Sequence, residues 1–226
     1  MNDIDLLCIR IAELVPLAAT LFSLIYGLKY FFKKGKPLCL QSITMAMASH
    51  TLVSVYHLCQ TLTTEDVAEG FTPAYLGRIG FFLFIITASY GHLDRIVDDG
   101  SPKMRRARII ALAAPILAAA LYIPNALAED VSAATKVVYA LVWIPATVSV
   151  YFNLKHAIIP DFDFGFIKAI KPYNISVLML SFSELLCLTA GAYYYPAMMA
   201  VAAVAFGALC VCTMLFARKG VEKWTI

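Results

Sequence analysis

Ionisable side chains inside long apolar segments are the residues of this sequence equipped for chemistry. A charge near the centre of a bilayer costs at least ~2.5 kcal/mol on insertion scales, so each one needs a partner or a purpose. Glu13, His57, Arg78 and Glu184 come from four separate apolar segments, one to two helical turns from the same end of each. A carboxylate facing Arg78 lowers the cost of both charges. Polar stripes extend the pattern. His50, Ser54 and His57 follow an i, i+4, i+7 spacing on the face that carries Ala46 and Met47. Asn174, Ser181 and Glu184 share another face, and Arg78, Ile85 and His92 recur every seven residues. Turned inward, the stripes line a ligand pocket of Glu13, His50, Ser54, His57, Arg78, Ser181 and Glu184. Glu184 leads the set, being the deepest acid and too short to reach an interface. A structural alternative stays open. Arg78 and Glu13 lie close enough to the interface to snorkel, a buried pair can serve helix registration alone, and the histidines can be satisfied by Ser54 or a carbonyl.

Other chemistries find little support. A retinal Schiff base needs a lysine in the middle of the last segment, which has none between Pro196 and Arg218. Haem needs two axial ligands at matched depth, whereas His50 and His92 differ in depth and His50 and His57 share one helix. There is no His-x-x-x-His for an intramembrane zinc hydrolase and no convergent set of three ligands. No catalytic residue, metal or cofactor is expected. An intramembrane enzyme or redox protein using His50 and His57 remains an alternative without a motif of its own. His92, Asp94 and Arg95, with Asn153, Lys155 and His156, form a second polar group, expected as a solvated interfacial ion pair.

The elements that position these residues follow from composition. The chain is 61% hydrophobic and 15% charged, too apolar for a soluble domain of 226 residues. Each crossing needs roughly 20 apolar residues. Residues 9–31, 38–61, 73–97, 107–125, 134–156, 167–192 and 196–217 qualify, which predicts an all-α bundle of seven transmembrane helices and a single domain over 1–226. Fifteen of the 18 basic residues fall on one side, leaving Arg10, Arg78 and Lys136 on the other with acidic loops such as Glu65, Asp66 and Glu69. Because basic loops stay inside, the N-terminus is expected outside and the C-terminus in the cytoplasm of a multi-pass cell-membrane protein. The net charge of +3 then reflects topology and attraction to anionic lipid, with no nucleic-acid partner. Tyr193, Tyr194, Tyr195 and Trp224 suit interfacial anchoring. The acidic N-terminus lacks the basic start of a cleaved signal. The six cysteines show no metal or redox spacing, and free buried thiols are favoured over a disulfide between Cys8 and Cys59.

A parallel 3+1+3 repeat is suggested by Lys36-Pro37 and Lys171-Pro172 opening helices two and six, and by Pro73 and Pro196 opening helices three and seven; Pro is also simply favoured in a first turn. Helices four and seven are rich in small residues, alanines in both and Gly207 in helix seven, and should pack closely. Pro115 and Pro145 should kink helices four and five.

The run Thr72, Leu76-Gly77-Arg78-Ile79-Gly80-Phe81-Phe82-Leu83-Phe84 through Tyr90-Gly91 resembles the third helix of the seven-helix sensor modules of bacterial signalling proteins, of the histidine-kinase type. Those modules similarly set an acidic loop before that helix (here Glu65 to Glu69) and a basic cluster after it (here Arg105, Arg106 and Arg108). The likeness spans helices two to four. With no kinase or cyclase domain expected after residue 226, the likeness implies a sensor that stands alone or signals through a partner protein or a homo-oligomer. The resulting expectation is a sensor or receptor-like protein binding a small ligand in an outward-facing polar pocket. A small-solute transporter of the 3+1+3 class is the alternative, although Pro16 and Pro145 do not match that class's paired prolines in depth.

Overall fold

The computed structural model describes residues 3–32, 38–63, 71–89, 94, 98, 100–129, 131–159, 166–193 and 195–222. Lys33, Lys34, Lys36, Pro37, Glu65, Asp66, Glu69, His92, Arg95, Tyr194, Lys223 and Trp224 lie outside the described residues, as do the side chains of Lys103 and Lys168. Seven helices account for nearly all that is described: α1 Asp3–Phe31, α2 Leu38–Thr63, α3 Pro73–Ala88, α4 Arg105–Leu127, α5 Ala133–Ile158, α6 Phe166–Ala192 and α7 Pro196–Glu222. No strand occurs among the described residues.

Helix is what such a sequence must form, because apolar surroundings offer no partner for a backbone N–H or C=O outside the segment itself. The hydroxyls obey the same constraint. Thr20, Thr44, Thr51, Thr87, Thr147, Ser181 and Thr189 each donate to a carbonyl four residues back. Six helices are long and apolar enough to cross a membrane; α3 is equally apolar but spans 16 described residues. Large apolar side chains such as Leu52, Leu76, Ile116, Ile144, Met179 and Val201 cover the outside of the bundle. That surface is suited to lipid.

Local chemistry sets the ends. Thr72 is extended (φ −121°, ψ 155°) ahead of Pro73, and α7 begins on Pro196. Ser132 caps α5 by accepting from the Thr135 N–H at 3.2 Å. The first helix begins and the last ends further out than the apolar periodicity indicates. Lys171-Pro172 does not open α6. That helix begins at Phe166, leaving Pro172 inside it, so this half of the expected repeat signal is a proline tolerated within the first turns. In α4, Pro115 has no N–H for the Ala111 carbonyl, and the helix is interrupted at Leu112, whose N–H turns to Ile109 O at 3.1 Å. The second expected kink is not matched by a break, since α5 runs continuously through Pro145.

The helices pack in sequence with one exception. Contacts run α1 to α2, α2 to α3, α3 to α5, α5 to α6, α6 to α7 and α7 back to α1. This closes a ring of six, with α4 lying against α5 and α6 from outside. The Trp143 indole donates to Ala118 O at 2.9 Å, and Asn125 Nδ2 to Thr189 Oγ1 at 3.2 Å, fastening α4 in place. Small residues permit the close approaches. A Cβ on Gly207 would stand 2.9 Å from Val15 of α1, and one on Gly27 would stand 2.5 Å from Thr44 of α2. The centre is sealed by Phe81, Phe82, Ile85, Leu180, Leu185 and Phe206, all fully buried. All six thiols are free; Cys39 and Cys210 are buried and Cys59 is exposed.

Candidate functional site

Two glycines of α3 decide how Arg78 meets its neighbours. A Cβ at Gly77 would lie 2.5 Å from Val53 Cγ2 and 3.0 Å from the Ser49 carbonyl, and one at Gly80 would lie 3.2 Å from Ser49 Oγ. Only the bare backbone lets α3 settle on α2 here, which brings Arg78 and His50 to the same level. Glu184 of α6 completes the group. Its Oε1 accepts from Arg78 Nε at 2.7 Å, and its Oε2 stands 3.2 Å from His50 Nε2, within ion-pair distance though not in line for a hydrogen bond. The Glu184 and His50 side chains are 3% and 4% exposed, against 13% for Arg78. In so dry a place an unpaired carboxylate would be far more costly than this paired one.

Aromatic rings hold the cluster. The His50 ring packs against Phe206 and Phe81, with centroids 4.3 and 5.2 Å away, and Ser54 Oγ lies 3.5 Å from its Nδ1 while donating to the His50 carbonyl. The Arg78 guanidinium sits 5.8 Å from the Tyr75 ring, which packs against Tyr139 of α5. His57, two turns from His50, is within coulombic range of Arg78, Glu184 and His50. Its Nε2 is buried and has no hydrogen-bond partner.

No family model, curated protein or solved structure matches this chain.

Of the residues singled out from sequence, Arg78, Glu184 and His50 converge, with Ser54 behind His50 and His57 nearby. Ser181 lies one turn from Glu184 and faces α5. Glu13 does not join them. It is bound by Arg10 Nη1 at 3.1 Å and by Thr61 Oγ1 at 2.6 Å, tying α1 to the end of α2. A carboxylate one turn from an arginine on its own helix takes the nearer cation. Sequence reasoning missed Tyr75, Phe81, Phe206 and the two glycines. Gly77 and Gly80 on either side of a membrane arginine were the signal available, since small residues mark where helices touch.

Ser181 begins a second line of polar contacts. Its Oγ lies 3.5 Å from Ser149 Oγ, Asn153 Nδ2 lies 3.4 Å from Ser149 Oγ, and Ser89 Oγ donates to Asn153 Oδ1 at 3.4 Å. All four side chains are buried. Ser89 is eleven residues beyond Arg78 on the α3 path, about 16 Å at helical rise. One turn past Asn153, His156 and Lys155 meet the far end of that path.

There His156 Nε2 lies 2.9 Å from Asp94 Oδ1, and Lys155 pairs with Asp94 and, at 3.2 Å, with Asp98. Arg108 grips both oxygens of Asp98 at 2.6 and 2.8 Å, while the Gly100 N–H donates at 3.1 Å from a left-handed residue (φ +82°). Arg108 holds the Asp98 carboxyl well below the usual carboxylate range, against the smaller opposing effect of partial burial. This group is not the solvated pair expected. Lys155 and His156 are 3% and 0% exposed, with Asp94 paired to both and Asp98 to Lys155. Among the described residues, no group of three or more His, Cys, Asp or Glu is placed to hold a metal ion.

Proposed function

We propose that the chain is a receptor-like integral membrane sensor that binds a small ligand at Arg78, where α2, α3 and α6 meet. The reading takes all seven helices as crossings, with the N-terminus and the Arg78 end outside and the Asp94 end in the cytoplasm, in keeping with the distribution of basic residues. Its main support is that Glu184 lies buried beneath Arg78, joining three helices through one carboxylate. A ligand that changes the hold on Arg78 acts on α2, α3 and α6 together. Buried contacts run from Ser181, one turn from Glu184, through Ser149 and Asn153 to Ser89, and Asn153 stands two residues before Lys155, which pairs with Asp94. In this reading Asp94, Lys155, Asp98 and Arg108 pass the change to a partner protein or a second copy.

A carrier of the 3+1+3 class is favoured by one observation: helices one to three and five to seven have the same order of neighbours, and the two sets join through equivalent helices. Amide hydrogen exchange of the protein in lipid nanodiscs, with and without added small carboxylates, tests the sensor. Ligand-dependent protection at 94–108 without solute accumulation in liposomes is the expected result. Accumulation of the labelled solute replaces the sensor with the carrier.

A further inference from the structure

The chemistry left open at this site identifies what it takes. Arginine carries five N–H donors in a planar fork. Arg78 uses only Nε on Glu184 and one face of its guanidinium on Tyr75. Its two Nη groups make no hydrogen bond among the described residues, and neither is among the buried polar atoms left without a partner, so both remain open. Glu184 differs. Both oxygens are occupied, by Arg78 and His50, and 3% of its side chain is exposed. It fixes the fork's direction and leaves the terminal pair of donors pointing elsewhere. His57 adds a buried Nε2 with no partner, on the helix next to Arg78.

We infer that the ligand is a small monocarboxylate, gripped by the two Nη groups of Arg78 with His57 as a second contact, and that Glu184 is a positioning residue that does not touch it. The inference rests on the proposed ligand site and names its substrate class. A carboxylate matches the spacing of the fork, which a lysine could not offer. Glu184 already balances the charge of Arg78, so every negative charge the ligand brings adds a desolvation cost with no excess cation to offset it. That favours a monoanion over a phosphate dianion in so dry a site.

The test uses the full chain in detergent micelles, with acetate and benzoate as probes and benzylamine and benzyl alcohol as matched controls. Thermal stabilisation and titration calorimetry are read at roughly millimolar concentrations. The carboxylates should give a saturable response that the controls do not. Arg78→Lys keeps the charge on Glu184 but loses the fork, and should raise the apparent Kd about tenfold. Glu184→Gln should bind carboxylates more tightly than wild type, because Arg78 then lacks its counter-charge; a merely structural Glu184 would leave affinity unchanged. If Glu184→Gln does not fold, the Arg78→Lys comparison decides alone. A saturable response to benzylamine or benzyl alcohol in place of the carboxylates overturns the ligand class and leaves the site standing. No response to any probe overturns both. Equal affinity in wild type and Arg78→Lys removes Arg78 from the contact.

Discussion

Glu184 and Arg78, 106 positions apart, are joined by a 2.7 Å hydrogen bond in the interior of the bundle. Removing either partner strands the other in apolar surroundings. Arg78→Ala and Glu184→Ala should each destabilise the fold by about 3–5 kcal/mol. Replacing both with Met should lose much less than the sum, a non-additivity that a double-mutant cycle in mixed micelles measures directly.

The approach of α3 to α2 supplies a steric counterpart. Gly77→Ala places a methyl 2.5 Å from Val53 Cγ2, and should cost about 1–3 kcal/mol by overpacking. Val53→Ala on the same background removes that contact and should restore much of the loss in thermal unfolding. Failure of the second substitution to help would mean that the Ser49 carbonyl, not Val53, sets the limit.

Acid should weaken the hold of Arg108 on Asp98. The Asp98 carboxyl is held below its ordinary value of 3.8, so its stabilisation is complete above that pH and is lost as pH falls through and below it. Thermal unfolding midpoints between pH 3 and 7 should therefore drop at the acid end of the range. In Asp98→Asn the midpoint should start lower at neutral pH and show a smaller acid-side drop.

Where α5 holds the outer helix α4, Trp143→Phe keeps a ring but loses the indole donor to Ala118 O. The expected loss is about 1 kcal/mol, with faster amide exchange along α4 and little change in α2 or α6. A uniform increase in exchange would show that α4 is integral to the bundle's cooperativity.

Several of these features were legible before any coordinates. Long uninterrupted apolar segments can only be helices in lipid; each of the seven holds a helix, and six of these are long and apolar enough to cross a membrane. The cost of a buried charge required a carboxylate for Arg78, and Glu184 filled that need. A proline without an N–H forecast the break before Pro115. Near the Asp94 end, Asp94, Lys155 and His156 were grouped from the sequence, whereas Asp98 and Arg108 were not.

Other choices were invisible because periodicity shows which residues share a face, not which neighbour that face meets. Glu13 and Glu184 sit at similar depth and both could have answered Arg78; Arg10, one turn from Glu13, took the first. His50 could have been satisfied by Ser54, yet it turned to Glu184 between two phenylalanine rings. Lys155 and His156 looked solvated from their place near a helix end, yet both are buried and paired with Asp94.

The chain's sequence by itself determined the helices and the need for a buried partner at Arg78, since backbone hydrogen bonding and the cost of desolvating a charge are local properties of each segment. Only the tertiary structure decided that Glu184 and His50 are the partners, that α4 stands outside the ring, and that two Nη groups of Arg78 stay open. In lipid the helices are apolar on nearly every side, so hydrophobic pattern does not choose between neighbours. Close packing at Gly77, Gly80, Gly27 and Gly207 does.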